Sequence, residues 1–242
     1  MPGPVTYSRS GSVSHIVMND GKANVMSVAM LNALHAAFDE AERDETVVVL
    51  SARGKHFSGG FDLNVFAKGG AEEQYLMVKA GAELALRVLS FPFPVIAACQ
   101  GNAYPMGAFL IMSSDHRIAA EGDYRIGMNE VAIGITPPRW AIEVARQRLT
   151  PAYLSRTVVT GEMFGPAEAV TAGFFDRLVP AAELERAAQE AAAAISKINL
   201  ANHAVAKQRL RAEAIAKVRG AIDEDITPKY GEDRVANRVA TG

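Results

Sequence analysis

The sequence predicts an α/β fold with a layered core. Two runs, Val47-Val-Val-Leu50 and Val95-Ile-Ala-Ala-Cys99, are apolar without alternation, as expected of strands covered on both faces in a parallel sheet. Segments with helical periodicity separate them, so the order is strand, helix, strand, helix, strand. Right-handed crossovers then give a sheet between helical layers, with ligand sites expected in the loops that leave the strand ends. The chain has 242 residues, 49% hydrophobic and 21% charged, enough for one large domain and close to the globular average.

Val5 to Arg9 and Val13 to Met18 are expected to form two short strands joined by a tight turn at Ser10-Gly-Ser12. Ser27 then suits a helix N-cap, with Met30, Leu31, Leu34 and Phe38 on one face and Glu40, Glu42, Arg43 and Asp44 at a solvated end. Glu72 to Leu89 predicts a second helix with Leu76, Ala80, Leu84 and Val88 on its apolar stripe, stopped by Ser90-Phe-Pro-Phe-Pro94. A short buried helix is expected at Gly107 to Ser113, and a strand at His116 to Ala119. Beyond Pro137-Pro138 the chain is mainly helical, at Arg139 to Leu149, Pro151 to Thr160, Pro166 to Ala172, Ala182 to Lys197 and Leu200 to Ile226, with a strand-like interruption at Phe174 to Val179. Val218, Ile222 and Ile226 recur every four residues, a stripe suited either to the chain's own core or to another subunit.

A formal charge of -2 offers no general attraction to nucleic acid or anionic lipid. Cys99 is the lone cysteine, so no intrachain disulfide forms, which fits a reducing compartment. No signal-like amino terminus or membrane-length apolar run is present, and a cytoplasmic protein with no membrane or nucleic-acid partner and no metal is expected.

Three segments have the makings of a site. Ser51-Ala-Arg-Gly-Lys-His-Phe-Ser-Gly-Gly-Phe-Asp-Leu63 follows a buried strand, and Gly59 and Gly60 let the backbone turn sharply, leaving the Phe61 amide able to donate. It matches neither the dinucleotide fingerprint nor the P-loop, and by itself it reads first as an ordinary structural turn. Pro105-Met106-Gly107 opens an apolar helix whose first amides lack intrahelical partners, an end that favours developing negative charge or is simply capped by backbone. Glu130 is one acid among small and apolar neighbours, an environment that raises a carboxylate's pKa and suits proton transfer within a bound molecule. The structural alternative for Glu130 is an ion pair with Arg125 or Arg139.

These segments, in this order and spacing, resemble the crotonase (enoyl-CoA hydratase/isomerase) superfamily. The similarity runs from about Val13 to Pro180 and is most specific at Ala-x-Gly-x-x-Phe-Ser-Gly-Gly-Phe-Asp-Leu (52 to 63) and at Ala169-Val-Thr-Ala-Gly-Phe-Phe-Asp-Arg-Leu-Val-Pro180. The resemblance implies a spiral of ββα units over residues 1–180, a helical trimerisation region over 181–242, a homotrimer or hexamer, and an acyl-CoA substrate with no separate cofactor. It implies oxyanion donors at the Phe61 and Met106 amides, although the family usually has glycine where Met106 stands. Ser58, Gly60, Asp62, Leu63 and Gly107 fall in the implied substrate-binding segments, where Asp62 orients its own loop and is not a base. Phe109 and Trp140 are expected to line the acyl pocket. Arg53 and Lys55, with His56 beside them, are candidates for CoA phosphates, as are Lys207, Arg209 and Arg211 from a neighbouring subunit.

Hydratases of this family carry two glutamates, and Phe109 stands where the first belongs. The stretch Ile-Gly-Met-Asn-Glu-Val-Ala-Ile-Gly-Ile-Thr-Pro-Pro-Arg-Trp around Glu130 is similar to that of the short-chain 3,2-enoyl-CoA isomerases. The implied activity is conversion of a 3-enoyl-CoA to the 2-trans-enoyl-CoA with Glu130 as acid and base. A 2-enoyl-CoA hydratase and a non-catalytic acyl-CoA binder are the alternatives.

Overall fold

The computed structural model describes residues 3–230. The chain opens with β1 (Val5–Ser10), β2 (Val13–Met18), α1 (Val28–Arg43), β3 (Val47–Ala52), β4 (His56–Ser58), α2 (Leu63–Lys68), α3 (Ala71–Ser90), β5 (Val95–Cys99), β6 (Asn102–Ala103) and α4 (Pro105–Ser113). It continues with β7 (His116–Ala120), β8 (Ile126–Gly127), a 3-10 turn at Val131–Ile133, α5 (Arg139–Arg146), α6 (Pro151–Thr160), β9 (Met163–Phe164), α7 (Pro166–Ala172), β10 (Arg177–Val179), a second 3-10 turn at Ala181–Glu183, α8 (Leu184–Ile195) and α9 (Leu200–Asp225).

The main sheet has six strands in the order β1-β2-β3-β5-β7-β10, parallel except for the β1–β2 hairpin, whose turn uses Gly11 at a φ of 60°. β3 and β5 are its two central strands, and their largely unbroken apolar character follows from burial on both faces. One face meets α1, α3 and α4 in the larger core, and the other is covered by α8 through Leu184, Ala187, Ala188 and Ala192. Ser27 caps α1 as expected, its side chain accepting from the Met30 amide at 3.2 Å.

The predicted stripe on α3 needs correction. Leu84 and Val88 are buried, but Leu76 is 46% exposed, and the inward face also uses Met77, Val78, Gly81 and Ala82. The helix faces helices on more than one side, so a single four-residue ladder does not describe its burial.

A second, four-stranded sheet runs β4-β6-β8-β9. Its strands are two or three residues long, and only β8–β9 is antiparallel. Short as it is, this sheet sets the spacing of the loops that carry the site.

The stripe on α9 lies inside the chain's own core: Val218 and Ile222 are fully buried and Ile226 is 2% exposed. Lys207 and Arg211, expected to be available to phosphates, are instead buried and committed. Lys207 Nζ lies 2.7 Å from Asp115 and Arg211 Nη2 lies 3.0 Å from it. Arg211 also donates to the carbonyls of Leu89 and Ser113, and Arg148 donates to those of Met112 and Ser114. These carbonyls end α3 and α4, where the helix dipole is negative, which explains why several cations gather round one aspartate. Burial lowers the Lys207 pKa to about 8 against the opposing pull of Asp115. Among the described residues no helix is long and apolar enough to cross a membrane.

Candidate active site

Three neighbouring strands of the small sheet deliver the three chemical segments. Phe61, Met106 and Glu130 each lie three residues past the last residue of their strand: Ser58 in β4, Ala103 in β6 and Gly127 in β8. The pairing β4–β6–β8 therefore brings segments far apart in sequence to one place.

The first loop is held rigidly. Ser58 Oγ donates to the Asn24 carbonyl at 2.8 Å and accepts from the Gly60 amide at 3.1 Å, while the Gly59 amide reaches Ala23 O at 2.7 Å. Gly60 has a φ of 84°, and a Cβ there would sit 3.6 Å from Tyr104 Cβ and 3.7 Å from Pro105 Cδ, so the loop runs against the start of α4. A Cβ on Gly107 would lie 2.8 Å from Ser58 Cβ, which makes that glycine a requirement of the same approach. Among the described residues the amides of Phe61 and Met106 donate to no carbonyl, and Met106 stands in the first turn of α4 behind Pro105. Unpaired donors on adjoining loops can bind one carbonyl oxygen and stabilise charge that develops on it.

A cavity of about 370 Å³ opens beside these loops, lined by Gly59, Gly60, Phe61, Leu63, Tyr104, Pro105, Phe109, Glu130 and Trp140 among others. Glu130 is its one carboxylate among the described residues. The residue is 6% exposed, Oε2 has no partner among the described residues, and burial pushes the pKa up to about 7. Neither alternative ion pair forms: Arg125 meets Asp123 and Arg139 meets Glu224 and Asp225. The Glu130 backbone is fixed as its carbonyl accepts from Ile133 at 3.1 Å and Ile135 at 2.8 Å, with Gly134 closing the turn at a φ of 76°. Phe109 and Trp140 are both buried and touch edge to face, and the Trp140 indole N–H has no partner among the described residues.

Other sequence-predicted residues lie elsewhere. Asp62 caps α2, accepting from the Asn64 amide at 2.9 Å, and does not line the cavity; its place next to the loop made it resemble a substrate contact. Ser58 and Gly107 are buried supports behind the wall, and Met106 is buried with its amide, unpaired among the described residues, one residue past the lining residue Pro105. Arg53 and Lys55 are exposed, outside the lining and in no ion pair among the described residues. Sequence reasoning passed over Phe66, Val78, Asn129, Ile133, Ile135, Thr136 and Tyr230, all of which line the cavity. It also passed over Gly81, where a Cβ would lie 2.5 Å from the Phe61 ring and 3.3 Å from Met106 Sδ. A glycine in mid-helix costs about 1 kcal/mol, and that cost was the available signal.

Residues 8–228 match the family model for enoyl-CoA hydratase/isomerase. The chain belongs to the enoyl-CoA hydratase/isomerase family. A probable enoyl-CoA hydratase of Bacillus subtilis is 33% identical over 66% of this chain and 60% of that protein. The mitochondrial enoyl-CoA delta isomerase 1 of Homo sapiens is 29% identical over 70% of this chain and 58% of the human one. This family member therefore spans less than two thirds of either of these relatives. The apo structure of an enoyl-CoA isomerase of Mycobacterium tuberculosis superposes with a TM-score of 0.88 and 41% identity, covering 92% of this chain and 97% of that one. Names within the family divide between hydratase and isomerase, so the choice of reaction rests on the site itself.

Proposed function

We propose that this family member is an acyl-CoA enzyme that isomerises a 3-enoyl-CoA to the 2-trans-enoyl-CoA. Glu130 carries the proposal, as the one carboxylate among the described residues lining the cavity, where Phe109 stands at the position that the family resemblance gives to the first glutamate of hydratases. Addition of water needs a group to hold and activate it, and a phenyl ring can do neither. Proton transfer between two carbons of one substrate needs a single group that is base first and acid afterwards.

The thioester oxygen accepts from the amides of Phe61 and Met106, which acidifies the C2 protons by stabilising the dienolate. The Glu130 carboxylate removes a proton from C2, and the electron pair spreads over the dienolate. The resulting carboxylic acid returns the proton to C4, the double bond moves to C2–C3, and the carboxylate is restored. A pKa raised to about 7 suits both halves, since the group accepts and releases a proton near neutrality. The apolar walls from Phe109, Trp140 and Ile135 keep the dienolate away from water.

The test mixes the protein with a 3-enoyl-CoA and, separately, a 2-enoyl-CoA while following conjugated-thioester absorbance, with Glu130→Gln as the control. Conjugation of the first substrate, abolished in the control, is the expected result. Loss of absorbance with the second substrate alone identifies a hydratase. Tight acyl-CoA binding without turnover identifies a non-catalytic binder.

A further inference from the structure

One wall of the cavity comes from outside the stretch that builds the rest. Every other lining residue among the described ones falls between Gly59 and Trp140, whereas Tyr230 lies beyond the end of α9. Its position follows from how α9 is fastened. The helix packs across α3 and α5 and is tied to α3 by Arg219 and Glu83, 2.6 Å apart, and by Lys79 and Asp223, 3.5 Å apart. In its last turn Asp225 accepts from Arg139 Nε at 2.9 Å, and Glu224 lies 2.9 Å from Arg139 Nη2. Arg139 is the first residue of α5, and its chain neighbours Pro138 and Trp140 are both cavity walls. Ile226 then enters the core, 2% exposed, and the Tyr230 amide donates to the Thr227 carbonyl at 2.8 Å. The clasp thus fixes the end of α9 beside Arg139, between the lining residues Pro138 and Trp140, and Tyr230, a few residues further on, lines the same cavity.

We propose that Tyr230 is a specificity-determining residue whose ring, held by the Arg139 clasp, closes the acyl end of the cavity and limits the acyl chain length accepted. This rests on the reading of the cavity as an acyl-CoA site. Methylenes that fit against apolar walls gain transfer free energy, and methylenes that meet a fixed ring are rejected. One methylene in an apolar pocket is commonly worth about tenfold in discrimination, so removal of the ring has a measurable consequence.

The experiment compares wild type with Tyr230→Ala and Tyr230→Phe on six-carbon and twelve-carbon 3-enoyl-CoAs. In parallel, calorimetry measures binding of the saturated acyl-CoAs of the same lengths. Tyr230→Ala is expected to raise the twelve-carbon to six-carbon ratio of kcat/KM, and of affinity, by about tenfold or more. Tyr230→Phe is expected to keep the wild-type ratio, because bulk is what matters. An unchanged ratio in Tyr230→Ala, or an equal shift in Tyr230→Phe, overturns the inference. If the alanine variant does not fold, Tyr230→Leu gives the same readout with a smaller opening. A shifted affinity ratio without any conjugation by wild type upholds Tyr230 and removes the isomerase, whereas conjugation with a fixed ratio does the opposite. Failure of every acyl-CoA to bind overturns both.

Discussion

Phe109 meets Trp140 edge to face with ring centroids 5.0 Å apart at 74°, and both rings line the cavity that holds Glu130. On the family resemblance, the contact fills with hydrocarbon the place expected to hold the first glutamate of a hydratase. Phe109→Glu is therefore expected to lower isomerisation and introduce measurable hydration of a 2-enoyl-CoA, followed as loss of conjugated absorbance. The change costs stability on the order of 3 kcal/mol or more, because it removes a buried aromatic ring and buries a charge. A second carboxylate near Glu130 raises the Glu130 pKa further, moving the acid limb of activity to higher pH than in wild type.

Glu130 links activity and stability with opposite signs. Its pKa is about 7 in the folded chain against an ordinary 4.5, so the folded state binds the proton more tightly than the unfolded state does. Stability from this group is fully present below pH 4.5 and is lost as pH rises through about 7, a change of roughly 3 kcal/mol. Glu130→Gln is expected to melt above wild type at pH 8 and to lose that advantage near pH 4. Its conjugation rate is expected to fall by about a hundred- to ten-thousandfold. In wild type kcat/KM should rise with pH through about 7, since the free enzyme must present the carboxylate.

Much of this was legible in the sequence, and for physical reasons the rest was not. Unbroken apolar runs identified β3 and β5 because burial on both faces leaves no polar side, and Ser27 marked the start of α1 through its cap. The apolar sequence around Glu130 already implies the raised pKa that its burial produces. The small sheet was not legible: β6 and β8 are two residues each, too short for any periodicity, and exist because distant loops pair. α2 was hidden because Asp62 was counted with the loop before it, although its side chain begins the helix. Lys207 and Arg211 looked like solvated charge, and only the meeting of the α3 and α4 ends explains their burial. Tyr230 reaches the site through the docking of α9, which no local pattern encodes.

Asp115 is the hinge of the buried charge cluster. Asp115→Ala leaves Lys207 and Arg211 without their carboxylate while they remain enclosed. A loss of about 3–5 kcal/mol is expected in denaturant unfolding, with the slope against denaturant unchanged. The Lys207 pKa, already lowered to about 8 by burial, should fall further without its partner, and stability of the variant should recover partly as pH is raised toward 10.

Gly81 tests whether the oxyanion loop depends on packing from behind. Gly81→Ala removes the mid-helix glycine from α3 and would by itself stabilise the helix by about 1 kcal/mol. The added methyl, however, would stand 2.5 Å from the Phe61 ring, with no room to spare beside Met106 Sδ. The ring must move, and the Phe61 amide moves with it, since backbone and side chain share one short loop clamped at Gly59 and Gly60. An oxyanion donor out of line costs on the order of a hundredfold in kcat. The expected variant folds with near wild-type stability, binds a saturated acyl-CoA, and conjugates a 3-enoyl-CoA at least about tenfold more slowly, the loss falling on kcat because the transition state needs the donor geometry more than the bound substrate does. Full activity in a stably folded Gly81→Ala would mean that the Phe61 amide holds its place without the glycine behind it.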